Sequence, residues 1–155
     1  VSGESMTPTY QDRERVFVLK KGYELNKGDV ISFWADRSEP TDDAGLIARL
    51  YLHQPDLENK ELHIKRIVGV PGDKIEIKKE PDYDENVVVT NVYVNGEKEV
   101  SSTMIPQIQA ASYTLAENEY FVIGDNYNNS LDSRIHGPVK KEDIFGKIIN
   151  GKERA

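Results

Sequence analysis

A mostly β fold built from antiparallel sheets is what this sequence predicts, and three observations predict it. Short runs rich in Val, Ile, Phe and Tyr recur along the chain, several of them alternating apolar and polar residues at period two. Turn signals punctuate these runs, among them Gly28-Asp29, Pro71-Gly72-Asp73 and Asn95-Gly96. Lys74-Ile75-Glu76-Ile77-Lys78, an acidic loop and a strand over residues 87–94 then follow one another as a β meander.

In order, residues 5–9 (Ser-Met-Thr-Pro-Thr) are a turn or extended segment, because Pro8 restricts Thr7 and removes a backbone donor. Residues 15–20 (Arg-Val-Phe-Val-Leu-Lys) and 30–34 (Val-Ile-Ser-Phe-Trp) read as two half-buried strands. A polar loop follows over residues 36–45. Apolar positions 46, 47, 50 and 51 are then spaced for a short amphipathic helix, with a β excursion as the alternative. Either way, residues 37 to about 60 read as an insertion between core strands.

Residues 63–73, a strand running into the Pro71-Gly72-Asp73 turn, are the most informative stretch. His63, Lys65 and Ile67 share one face and Leu62, Ile64, Arg66 and Val68 the other, so two cations leave opposite sides of an apolar segment. An amine drawn into an apolar site has a lowered pKa and serves as a base near neutral pH, which makes Lys65 a candidate general base. The plainer alternative is that one of these cations guards a sheet edge. Residues 101–116 read as irregular and polar, and Glu119-Tyr120-Phe121-Val122-Ile123 returns to strand. The loop 124–134 is crowded with groups that hydrogen-bond their own backbone, and its ordering entropy is costly unless it binds something. Residues 144–149 form a last strand, where Gly146 points to a bulge or a close approach.

The chain of 155 residues fits one domain, 1–155. A net charge of -7 and the lack of a basic run argue against nucleic-acid binding. There is no cysteine, which excludes disulfides, thiol nucleophiles and thiolate metal sites, and the three scattered histidines offer no metal-ligand spacing. No apolar run approaches the roughly 20 residues a membrane helix needs.

Three segments in this order carry a resemblance: Ser5-Met6-Thr7-Pro8-Thr9, then residues 65–73 (Lys-Arg-Ile-Val-Gly-Val-Pro-Gly-Asp), then Gly124-Asp125-Asn126 through Ser130-Leu131-Asp132-Ser133-Arg134. Each alone is weak; together they resemble bacterial type I signal peptidases. The resemblance implies coiled antiparallel β-sheets and a serine endopeptidase that removes signal peptides from secretory precursors, cutting after small residues with no cofactor. It also implies an N-terminal anchor, absent from this chain, that holds the catalytic domain on the extracytoplasmic side of the bacterial cytoplasmic membrane.

Carried over residue by residue, the resemblance makes Ser5 the nucleophile, Lys65 the base and Ser130 the hydroxyl that aims the lysine amine. Asp125 would pair with Arg66 and Asp132 with Arg134, bracing the loop behind the site. The Ser5 N–H would be the oxyanion donor. Some relatives carry a hydroxyl at the position of Gly3, which this chain lacks. Substrate would add a strand beside the residues before Ser5 and along Leu62, His63 and Ile64, with Met6 as a pocket wall. Tyr10 stands where the family usually has an aliphatic residue, so it is expected to reshape that pocket. Tyr127 and Asn128 replace an arginine and an aspartate, so whatever rigidity that pair lends the loop is expected to be missing.

Three competing readings are weaker. Self-cleaving repressors of the SOS type use the same Ser-Lys pair, but they cut an Ala-Gly bond N-terminal to the serine and lack the 124–134 loop; here Ala44-Gly45 follows Ser5. A degenerate relative serving as a binding or assembly module would not need Ser5, Lys65, Ser130 and Asp132 together. A Ser-His enzyme using His63 or His136 is the third.

Overall fold

The computed structural model describes residues 1, 3–36, 60–103 and 105–149. The expected insertion and its short helix fall on 37–59, outside the described residues; Lys60 opens a strand. The described strands are β1 (Val18–Leu19), β2 (Val30–Asp36), β3 (Lys60–Gly69), β4 (Lys74–Asp82), β5 (Val87–Val94), β6 (Glu97–Thr103), β7 (Ala111–Thr114), β8 (Glu119–Ile123), β9 (Val139–Lys140) and β10 (Ile144–Ile148). One short helix, α1 (Ser133–His136), closes the loop after β8.

Two antiparallel sheets hold these strands. The larger runs β1-β10-β2-β3-β8-β9 and the smaller β6-β5-β4-β7. Their interface is the main apolar core: Ile75, Ile77, Val92, Val94 and Val100 of the small sheet pack on Val68, Phe121 and Ile123 of the large one. This is the alternation that the meander predicts, with β4 presenting Ile75 and Ile77 inward and Lys74, Lys78 and Lys79 to solvent. Gly69 lets the layers approach, since a Cβ there would meet Ile75 Cδ1 at 2.9 Å and Leu115 Cδ1 at 3.0 Å.

Two expectations are corrected. Only Val18 and Leu19 of the predicted 15–20 stretch form a strand, which meets just the end of β10. The stretch 101–116 is not irregular throughout: β6 runs to Thr103, and β7 pairs with β4 through Ile75–Tyr113 and Glu76–Ser112. Four half-polar residues carry too little periodicity to be read as a strand. Gly146 behaves as expected. The β10–β2 register shifts between Ile144 and Gly146, and a Cβ at Gly146 would meet Val18 Cγ1 at 2.5 Å and Leu19 O at 2.6 Å.

The strand that matters for the site lies in mid-sheet. β2 pairs along its whole length with this strand, β3, from Asp36–Lys60 to Val30–Arg66. The pairing of β3 with β8 starts only at Arg66–Ile123. The β8-facing edge of β3 before Arg66 therefore carries no strand among the described residues, and the segment holding Ser5 lies at that end. Met6 and Tyr10 anchor this segment by packing with Val30 and Ile148 in a separate small core.

Candidate active site

β3 delivers both cations to buried positions. Lys65 and Arg66 are only 4% and 5% exposed, so neither guards an edge. Each needs its own partners on its own face, as the period-two reading requires. Arg66 donates from Nε to Asp125 Oδ1 (2.9 Å) and from Nη2 to Asp125 Oδ2 (2.7 Å), and its Nη1 donates to Gly28 O (2.7 Å). Such a planar, two-point ion pair is the strong kind, and it ties β3 to the start of the loop after β8.

Lys65 has no carboxylate in contact among the described residues. Its Nζ lies 2.8 Å from Ser5 Oγ and 3.1 Å from Ile64 O. Burial pushes the amine pKa down to about 8, while the more distant Asp132 and Glu61 carboxylates pull the other way. A neutral amine can therefore accept the Ser5 proton at mildly alkaline pH. Ser5 is half-buried in a turn closed by Thr7 N–H donating to Glu4 O (3.0 Å), and its own N–H makes no hydrogen bond among the described residues.

The loop 124–134 is held from behind by a second buried pair. Arg134 donates to Asp132 through Nε to Oδ1 and Nη2 to Oδ2, both at 2.9 Å, and Asp132 Oδ2 also accepts the Gly124 N–H (3.1 Å). Arg134 Nη1 reaches Ser102 Oγ (3.1 Å) and Tyr127 O (2.8 Å), joining the loop to β6. Both expected pairings of the bracing residues are thus present. At the two positions where the arginine and aspartate are replaced, Tyr127 gives Arg134 a backbone carbonyl, and Asn128 Oδ1 accepts Thr103 N–H (2.9 Å) and Oγ1–H (3.1 Å).

Ser130 departs from expectation. Its Oγ does not contact Lys65 Nζ; it is buried without a hydrogen-bond partner among the described residues, packed against Gly124. A Cβ on Gly124 would collide with Ser130 Oγ and would lie 2.5 Å from Ser5 O, so this glycine allows the loop to close on the Ser5 segment. The neighbouring Ser133 is structural: its Oγ accepts the Val122 N–H (2.9 Å).

Beside Ser5 lies a groove of about 580 Å³. Gly3, Met6, Leu62, His63 and Ile64 line it as expected, and so do Val18, Ser32 and Phe145, which no local sequence signal marked. Tyr10 is corrected: it is 0% exposed, is not among the residues that line the groove, and belongs to the small core with Met6, Val30 and Ile148. Gly3 adopts φ +83°, the left-handed region that favours glycine, and its N–H donates to Asp12 Oδ1 (2.9 Å). His63 is engaged by Glu61 (2.6 Å) and edge-on to Phe33, and burial lowers its pKa. Neither His63 nor His136 contacts Ser5, which leaves the Ser-His alternative without geometry. No group of three or more metal-binding side chains occurs among the described residues, and no described helix is long and apolar enough to cross a membrane.

A serine hydroxyl bonded to a buried amine of lowered pKa, at the wall of an open groove beside an unpaired strand edge, is equipment for acyl transfer on an extended chain. That is the class of a serine hydrolase. Residues 1–150 match the family described as "Signal peptidase, peptidase S26". Signal peptidase IB of Staphylococcus aureus (strain COL) is 32% identical, the match covering 96% of this chain and 73% of that protein. The probable signal peptidase I-2 of Synechocystis sp. is 31% identical over 96% of this chain and 59% of that protein. A signal peptidase I from Enterococcus faecalis V583 of known crystal structure is 22% identical, with TM-score 0.47 over 81% of this chain and 97% of that one. The chain belongs to the signal peptidase family, serine endopeptidases that remove signal peptides from secretory precursors.

Proposed function

We propose that Ser5 and Lys65 form the catalytic dyad of this signal peptidase, and the observation that carries the reading is the 2.8 Å contact between Lys65 Nζ and Ser5 Oγ. Neutral Lys65 takes the hydroxyl proton as Ser5 Oγ attacks the scissile carbonyl. The tetrahedral oxyanion is met by the Ser5 N–H; the amine returns its proton to the leaving nitrogen, and the acyl-enzyme is hydrolysed by a water that the same amine activates. Asp125, Arg66, Asp132 and Arg134 hold the loop rather than react. Ser130, whose hydroxyl is buried and unengaged, is assigned to aim the amine once substrate is bound.

The precursor binds extended along the open edge of β3 at Leu62, His63 and Ile64, with its other side against the residues before Ser5. Shallow, mostly apolar walls, Met6 and Ile64 among them, restrict it to small side chains. The chain works as one catalytic domain, needs no cofactor, binds no nucleic acid, and acts on the extracytoplasmic side of the bacterial membrane through an N-terminal anchor.

Incubating a secretory precursor with this chain and reading the products by mass spectrometry tests the proposal. A single cut after a small residue at the end of the apolar region, abolished by Ser5→Ala, is the expected result. Cleavage elsewhere, or an active Ser5→Ala variant, overturns it.

A further inference from the structure

We propose that Asn126 is a positioning residue that fixes both peptide planes flanking Ser5 and so aims the oxyanion donor; the inference rests on Ser5 being the nucleophile. Asn126 sits in the loop after β8, yet its backbone and side-chain N–H groups all point at the Ser5 segment. Its backbone N–H donates to Ser5 O (2.9 Å). Its side-chain amide donates to Glu4 O (3.2 Å) and to Thr7 Oγ1 (3.1 Å). An asparagine amide has two N–H donors, so both side-chain donors are used.

Glu4 O belongs to the same planar peptide unit as the Ser5 N–H, and in a trans peptide the two point in opposite directions. Glu4 O accepts from Asn126 Nδ2, Thr7 N (3.0 Å) and Thr7 Oγ1 (2.9 Å). With one edge of that plane held by these donors, the Ser5 N–H on the other edge has a set direction. Bonds to the carbonyl also polarise the amide and strengthen its N–H as a donor. The Asn126 N–H fixes the next plane through Ser5 O, so the backbone on both sides of the nucleophile is tied to one residue of the loop. Gly124 makes this closure possible, because a side chain there would strike Ser5 O.

The chemistry predicts an order of effects. Asn126→Ala removes the side-chain donors, whereas Asn126→Asp keeps the shape but sets carboxylate oxygens against Glu4 O. Measured on a secretory precursor, kcat should fall roughly tenfold for Asn126→Ala and further for Asn126→Asp, with KM within about twofold of the parent. The acid limb of the pH profile should stay in place for the neutral Ala variant, since the contacts of Lys65 Nζ are untouched. Thr7→Val, which deletes the hydroxyl bridging Asn126 and Glu4, should reproduce a milder kcat loss even if an Asn126 variant folds poorly. Parent kcat in Asn126→Ala and Thr7→Val, a loss confined to KM, or a loss that only tracks a fallen Tm overturns the inference. Ser5→Ala separates the two levels: inactive Ser5→Ala beside fully active Asn126 variants removes the positioning role alone, whereas an active Ser5→Ala removes the nucleophile and this inference with it.

Discussion

At the scale of the residue, the proposed chemistry depends on one amine in an apolar site. Lys65 is pushed down to about 8 by burial, below the roughly 10.4 of an exposed lysine. Between those two values the unfolded chain binds more protons than the folded one, so this residue's contribution to stability rises with pH across that window and is lost as pH falls through about 8. Activity should follow the same titration, with kcat/KM climbing along an acid limb centred near that value; a flat profile from weakly acidic to alkaline pH would exclude a lysine base. Ser130 offers a second residue-scale test, because its hydroxyl is buried with no partner among the described residues. Removing an unsatisfied buried polar group should leave Tm unchanged or higher in Ser130→Ala. If the hydroxyl aims the amine in the substrate complex, kcat should fall in that same variant, so activity and stability move independently. Undiminished kcat would take Ser130 out of the site.

At the scale of the element, β3 and the 124–134 loop are joined by an ion pair whose partners are far apart in sequence. The Arg66–Asp125 side chains are 6% and 1% exposed, so breaking the pair strands a charge in the interior. Asp125→Ala should cost about 3–5 kcal/mol, read as a lower midpoint in urea unfolding at unchanged slope. A change under about 1 kcal/mol would mean that the pair is solvated in solution, as surface pairs are. The period-two pattern of β3 was legible in its residues and placed Lys65 and Arg66 on opposite faces. Their partners were not legible in that pattern, since Ser5 and Asp125 lie sixty and fifty-nine positions away and no local periodicity reports such a contact. The resemblance paired Asp125 with Arg66 and Asp132 with Arg134, but Asn128 at Thr103, Tyr127 at Arg134 and Asn126 at Glu4 emerged only from the packed loop.

At the scale of the molecule, Ser5 and Lys65 are brought together by the way the N-terminal segment anchors through Met6 and Tyr10 at the end of the large sheet. If they act as one unit, removing either leaves the other nothing to do. Ser5→Ala, Lys65→Met and the double variant should then share nearly the same residual activity. Methionine keeps the length and apolar character of the lysine stem, so the fold should survive. Additive losses, or substantial cleavage by Lys65→Met, would move the base to another residue.

By itself the sequence determined the antiparallel β class, the opposite faces on which Lys65 and Arg66 leave β3, the alternation of β4, the glycine-marked approach at Gly146, and, through its ordered segments, the family. Those features depend on neighbours a few positions apart or on contiguous motifs. Only the tertiary structure decided that both cations of β3 are buried, that Tyr10 is core rather than groove lining, that the Ser130 hydroxyl has no hydrogen-bond partner among the described residues, and that a four-residue polar stretch pairs as β7. Each of these is settled by which distant surface covers a side chain, and that is a property of packing between layers, which period and composition along one strand do not encode.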